Sequence, residues 1–408
     1  MRRQGVIGRR TVALVAALVV VLGVLAAPAS AQSLRERLGR ALTVSGVSRA
    51  QTGAFALDLT RNRVVFSSNT RRSLEPASNQ KLAVAVAALE RLGRGYRIPT
   101  EVLGSGTLSG TTWRGRIFLK GYGDPTLTRT DLRTLAIAVR NQGIRRVVGS
   151  IAGDESYFDS RRVAAGWLPS WYKIESPPLS ALVVNRAKVS GRTVDNPALS
   201  AARFFRLALR ANGVAVRGKA LVRTAPGSAT YLTRIRSVTM TTLVRKMNKM
   251  SDNFTAEVLV KHLGAKFRGA GTTVAGCIVV RRVLEGRGVP MNGVRLADGS
   301  GLSLHDRFTA RALGRLLTSA WRDPAVRGAL VASLPIAGVD GTLRDRMRSG
   351  PARRRVRAKT GTTFGASSLS GYVGSRYVFS ILQNGNRIPW ENARRAQDRF
   401  AQILAGTL

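Results

Sequence analysis

A serine and a lysine three positions apart open an apolar stretch of this chain: Ser78-Asn79-Gln80-Lys81, running into "LAVAVAALERLG". Such a pair can carry out acyl transfer. On a helix, residues i and i+3 share one face. The positive end of a helix and a partly desolvated pocket both disfavour an ammonium, so Lys81 can take the serine proton. Ser78 then becomes a covalent nucleophile. The competing reading is an N-cap serine beside an unrelated surface lysine, because Ser-x-x-Lys is common.

Two further patterns agree with the first reading. Ser251-Asp252-Asn253 lies in "MNKMSDNFTAEVL", between two helical stretches, and Lys359-Thr360-Gly361-Thr362 lies in "VRAKTGTT", on an expected strand. Ser251 can relay a proton towards a leaving amine close to Lys81. Asn253 can donate its amide to a substrate carbonyl. Lys359 supplies a fixed positive charge, and Thr360 a hydroxyl, for the free carboxylate of a peptide C-terminus. Gly361 lets the backbone come close, and the N–H groups of Ser78 and Thr362 would form an oxyanion hole. Turn and strand-end roles are the plain alternatives for each triplet taken alone. The two histidines, His262 and His305, sit in no HExxH or Cys/His cluster, so neither metal nor cofactor is expected.

The elements needed to hold these residues can be traced along the chain. Arg2, Arg3, Arg9 and Arg10, the apolar run Val12 to Ala27 and Ala29-Ser30-Ala31 read as a secretory signal over residues 1–31, with an uncleaved anchor as the alternative. Residues 52–70 alternate as a hairpin turning at Thr60-Arg61-Asn62. The Ser78 helix continues to Leu92. From about residue 98 to 231 the texture turns Gly- and Thr-rich with short strand-like pieces. Helical periodicity then returns, the C-terminal third reads as consecutive antiparallel strands, and a helix closes the chain. The expected architecture is α/β (α+β): a catalytic body from 32–97 and 232–408, interrupted by a β-rich insertion at 98–231.

Lys and Arg number 66 against 22 Asp and Glu, a net charge of +44. Without the four signal arginines it is still +40. Such a balance attracts polyanions. No zinc-finger, basic-heptad or RNA-binding aromatic pattern supports nucleic acid. For an exported chain the candidate polyanions are anionic wall polymers or a membrane surface. The single cysteine, Cys277, excludes an internal disulfide and reads as a small buried hydrophobe.

The three motifs, in this order and in helix, loop and strand contexts, are those of β-lactamases and penicillin-binding proteins. With Ser251 lying 173 positions after Ser78, the chain resembles the D-alanyl-D-alanine carboxypeptidase/endopeptidases among the low-molecular-mass (class C) penicillin-binding proteins. That group carries a large insertion between its first two motifs. "GYGDPTL", "GDESYFD", "SALVVNR", "DGSGLS" and "LPIAGVDGTLRDRM" resemble the same group. The resemblance implies a transpeptidase-like body, an antiparallel sheet flanked by helices. It implies acyl-serine cleavage of peptidoglycan stem peptides, β-lactams as inhibitors, and a periplasmic or envelope location. Asp154 and Phe158, in the insertion, become candidates for the substrate's side-chain end. For Asp154 a turn or cap is an equal alternative. Gly121 to Pro125 reads as a turn capped by Asp124, and Asp298-Gly-Ser-Gly as a turn lining the site. Leu304 stands where the group often has arginine. The rival readings are a β-lactamase and a basic wall-binding protein with a degenerate site. No motif assigns an oligomeric state.

Overall fold

The computed structural model describes residues 32–408; the expected signal lies outside them. Helix α1 (Leu34–Ala41) leads into a hairpin of β1 (Thr52–Asp58) and β2 (Arg63–Ser68), then α2 (Gln80–Leu92). The inserted segment holds β3 (Pro99–Ser109), β4 (Thr112–Gly121), α3 (Arg129–Asn141), β5 (Arg146–Val148) and β6 (Ile151–Asp154). It continues with β7 (Lys188–Val189), β8 (Arg192–Thr193), α4 (Pro197–Ala211), β9 (Ala215–Val216), β10 (Ala220–Val222) and β11 (Thr230–Arg236). The chain returns through α5 (Met240–Met250), α6 (Asn253–Arg268), α7 (Thr273–Gly286), α8 (Ala310–Arg322) and α9 (Pro324–Ser333). Strands β12 (Val356–Thr362), β13 (Ala366–Val373) and β14 (Tyr377–Asn384), then α10 (Trp390–Ala405), complete it.

The body is a five-stranded antiparallel sheet in the order β12-β13-β14-β1-β2, with helices against it. Strand β13 is buried along its whole length and β14 nearly so, and neither shows the alternation of a half-exposed strand. Small residues (Ser367, Ser368, Ser370, Gly371) fill much of β13 and let neighbours pack close. Helix α2 is buried from Gln80 to Leu89, with leucines, valines and alanines in contact with α5, α6, α7 and α9. Each fully buried Leu or Val there contributes about 1.5–3 kcal/mol. The helix that carries Lys81 is therefore the body's central pillar.

The insertion is more helical than its Gly- and Thr-rich sequence suggested. Its sheet runs β10-β6-β4-β3-β11, with β5 also beside β4 and β9 beside β5. Strands β4, β6 and β10 are parallel neighbours, and α3 and α4 pack on one face around Leu132, Leu135, Phe205 and Leu209. Strand β11 pairs antiparallel with β3, so this sheet continues through Arg236 rather than stopping at 231. Cys277 is buried, as its apolar surroundings in the sequence implied. Among the described residues no helix is long and apolar enough to cross a membrane.

Candidate active site

Ser78 does not cap its helix. It sits in a 3₁₀ turn, Ala77–Asn79, immediately before α2, and its hydroxyl makes no capping bond. The next two side chains fix the turn instead. Asn79 Nδ2 donates to the Lys359 carbonyl (3.1 Å) and to Ser368 Oγ (2.8 Å), tying the turn to β12 and β13. Gln80 Nε2 donates to the Asp298 carbonyl at 2.9 Å. Ala77 adopts a positive φ of 46°, a strained conformation for a residue with a Cβ. Gly361 is required by space: a Cβ there would lie 2.1 Å from Ser368 Oγ, 2.8 Å from the Pro76 carbonyl and 3.0 Å from the Ser78 nitrogen. Bare backbone thus brings β12 against the serine.

Lys81 Nζ donates to Ser78 Oγ (2.8 Å), Asn253 Oδ1 (2.8 Å) and the Ser300 carbonyl (2.6 Å). The lysine is fully buried, and burial pushes its ammonium down to about 8, against the pull of Asp298 and Glu257. The neutral amine is therefore far more accessible near neutral pH than for an ordinary lysine. Glu257 accepts from the Gly299 and Ser300 N–H groups, and its burial beside Asp298 pushes its own carboxyl up to about 8. Asp298 holds the same loop, accepting from Gly301 N, Ser303 N and Trp167 Nε1. The Asp298–Gly301 turn thus aims the Ser300 carbonyl at Lys81.

Ser251 closes α5 in the left-handed region (φ 56°), Asp252 caps α6 through the Thr255 N–H, and Asn253 begins α6. Arg186 from the insertion grips the Asp252 carboxylate with two bonds of 2.6 and 3.0 Å, fixing this turn. Lys359 differs from the expectation of a cation facing substrate. It is fully buried, and Nζ donates to Ser251 Oγ (2.9 Å) and the Thr360 carbonyl (2.8 Å). Burial, with the Lys81 charge added, holds it well below the usual lysine range. Each lysine therefore holds one serine hydroxyl, Lys81 that of Ser78 and Lys359 that of Ser251.

The cleft above them has a volume of about 580 Å³. Ser78, Ser251, Asn253, Thr360 and Thr362 all line it, so the three motifs meet in one place. Thr360 Oγ1 donates to Thr342 Oγ1 at 2.7 Å. Two lining residues carried no signal in the sequence, Glu175 and Arg394. Glu175 comes from the insertion, and its carbonyl accepts from Asn253 Nδ2 at 3.0 Å. The same Asn253 Nδ2 also reaches the Glu175 carboxylate, Oε2, at 3.5 Å, so Glu175 holds the amide at the cleft.

Asp154 and Phe158 are not brought to this cleft. The Asp154 carboxylate is fully enclosed, accepts from Ser156 N and Ala225 N, and pairs with Lys120 at 3.5 Å. Phe158 packs with Leu179, Ala181, Phe254 and Val258 at the seam between insertion and α6. Neither side chain is free to meet a substrate, and both expectations are corrected to structural roles. Asp124 accepts from Thr126 N, the turn cap its sequence implied. His262 is also structural: Nδ1 and Nε2 meet the Tyr122 carbonyl and Tyr96 Oη, and burial pushes it down to about 4.

A nucleophile turn, a buried lysine on its hydroxyl and a small-residue strand beside it define an acyl-serine hydrolase of the penicillin-binding class. The D-Ala-D-Ala carboxypeptidase 3 (S13) family matches over residues 34–193 and 185–407, and the chain belongs to that family. It is 33% identical over 459 aligned positions to the D-alanyl-D-alanine carboxypeptidase of Actinomadura sp. (strain R39), covering 91% of this chain and 84% of that one. It is 30% identical to the carboxypeptidase DacB of Mycolicibacterium smegmatis, covering 83% and 77%. In fold it is similar to the crystal structure of penicillin binding protein 4 (dacB) from Haemophilus influenzae. That match has a TM-score of 0.81 at 24% identity and covers 92% of this chain and 99% of the other. The Haemophilus protein is also known in complex with a β-lactam.

Proposed function

We propose that this protein is a serine-type D-alanyl-D-alanine carboxypeptidase of peptidoglycan that is acylated by penicillins at Ser78. The observation that carries the assignment is the 2.8 Å bond from a fully buried Lys81 to the Ser78 hydroxyl, with the lysine near 8. In its neutral form Lys81 accepts the Ser78 proton as Oγ attacks the penultimate D-alanyl carbonyl. The N–H groups of Ser78 and Thr362 receive the developing oxyanion. Collapse breaks the C–N bond, and the departing amine takes a proton through Ser251, whose hydroxyl Lys359 orients at 2.9 Å. Water then cleaves the acyl-serine. A β-lactam follows the same first step, its ring amide in place of the peptide bond.

Export to the periplasm or envelope is the reading favoured by residues 1–31, and the net charge of +44 suits a site of action among anionic wall polymers. Cleavage of D-alanyl cross-links would use the same machinery with a larger leaving group. The deciding assay incubates the protein with a stem pentapeptide and with cross-linked muropeptides, comparing free D-alanine with cleaved dimers. Release of D-alanine by the wild type and none by Ser78→Ala is the expected result. No turnover of either substrate overturns the assignment. A β-lactam adduct that decays in milliseconds rather than hours would instead mark a β-lactamase.

A further inference from the structure

Lys359 leaves a question about charge in the cleft. A substrate ending in a free carboxylate needs a cation at the β12 end, yet Lys359 is enclosed and its known bonds go to Ser251 and Thr360. Two other cations line that end of the cavity, Arg346 and Arg394. Arg346 is already neutralised. Its guanidinium donates to Asp398 from Nη2 (2.7 Å) and Nε (3.0 Å), and to Gln397 Oε1 at 3.1 Å.

Arg394 is different. It lies on α10, is exposed, and reaches Thr362 Oγ1 from Nη2 at 3.4 Å. Among the described residues it makes no ion pair. The acidic groups around it are Asp398, bound to Arg346, and Glu391, which pairs with Arg395 at 3.5 Å. Thr362, Thr360 and Thr342 form a line of hydroxyls beside it along the cavity wall. Partial desolvation and the neighbouring Arg346 push the Arg394 guanidinium below its ordinary range, while Asp398 and Glu391 pull it back up.

From this geometry we infer that Arg394 is a specificity residue: its guanidinium, with the Thr360 and Thr362 hydroxyls, holds the terminal carboxylate of the acyl donor. The inference rests on the peptidase reading above. It makes the free carboxylate of the leaving D-alanine a requirement enforced by α10, outside the three motifs. A planar guanidinium suits this role, because it can meet a carboxylate with two parallel bonds.

The test compares an N-acetylated tripeptide ending in D-alanyl-D-alanine with the same tripeptide amidated at its C-terminus. Wild type, Arg394→Gln and Arg394→Lys are assayed with both. Arg394→Gln should lower kcat/KM for the free acid by about 10- to 100-fold, mainly through KM, the size of a lost charged hydrogen bond. The amide should change by less than about twofold, so the acid/amide preference collapses. Arg394→Lys should recover part of that preference. An Arg394→Gln enzyme that keeps the wild-type acid/amide ratio overturns the role, whether both rates fall or neither does. A wild type that turns over neither peptide and takes no β-lactam overturns the peptidase reading and this inference together, a pattern distinct from an unchanged ratio.

Discussion

The insertion and the cleft floor treat buried charge in opposite ways. In the insertion and along its seam, four acid–base pairs take charge out of water, although among the described residues the buried Asp124 is held by Thr126 alone. Asp154 pairs with Lys120, Arg162 with Glu155, Arg186 with Asp252, and Lys261 with Asp159. Under the cleft, Lys81 and Lys359 are both fully enclosed, and among the described residues neither has a carboxylate within ion-pair distance. Their bonds go to serine hydroxyls, an asparagine and backbone carbonyls. Desolvation costs several kcal/mol per buried ion unless a partner or a lost proton offsets it. Paired charges therefore hold the fold together, whereas unpaired cations are poised to give up a proton. The contrast also separates motif residues that act from those that only look polar.

The largest effect should come from the unpaired pole. Replacing Lys81 with alanine is expected to slow acylation by a fluorescent penicillin by about 10²- to 10⁴-fold, the usual worth of a positioned base. Lys81→Arg should do no better, since a guanidinium keeps its proton at working pH. An arginine variant acylated at the wild-type rate would show that charge alone, without proton transfer, is what this position supplies.

A pH series sharpens the same point. With Lys81 near 8, its neutral, proton-accepting form grows as pH rises towards 8 and levels off above it. The acylation rate constant should climb about tenfold per unit well below that value and flatten beyond it. A rate that falls across the same interval would mean the ammonium is the working form.

At the paired pole the effect should be on stability. Asp154→Asn removes the charge facing Lys120 and weakens the acceptors of Ser156 and Ala225. A loss of about 1–3 kcal/mol in denaturant unfolding is expected, with D-alanine release within about threefold of wild type. A large loss of activity without a loss of stability would return Asp154 to the substrate.

The smallest effect concerns His262, held near 4 against an ordinary value of 6.5. The unfolded chain binds this proton more readily, so the histidine's contribution is intact above about 6.5 and is lost as pH falls towards 4. In His262→Gln the fall of Tm over that interval should be shallower, with turnover retained at neutral pH. Loss of turnover would make the histidine part of the chemistry.

Much of this arrangement was written in short range. Ser78, Lys81 and the other two motifs could be read from residue type and order, and the hairpin within 52–70 from alternation, because local spacing encodes both. The Ser251–Asn253 turn was placed between two helices for the same reason. What the sequence hid depended on contacts across the fold. Nothing local to Lys359 shows that it would be enclosed with Ser251, and nothing in "WENARRAQ" singles out Arg394 from its neighbours. Glu175 reaches Asn253 only because the insertion folds back over α6. Asp154 was a candidate through the resemblance of its inserted stretch, and sequence does not distinguish a carboxylate that faces substrate from one that pairs with the half-buried Lys120. The boundary at 231 missed the last part of β11, whose pairing with β3 is a contact across more than a hundred residues.

The intact mass of the protein after exposure to a penicillin tests the central claim most directly. The expected result is one covalent adduct per chain, mapped to the peptide containing Ser78, lasting hours and absent from Ser78→Ala. No adduct on the folded wild type, or one that persists in Ser78→Ala, would contradict it.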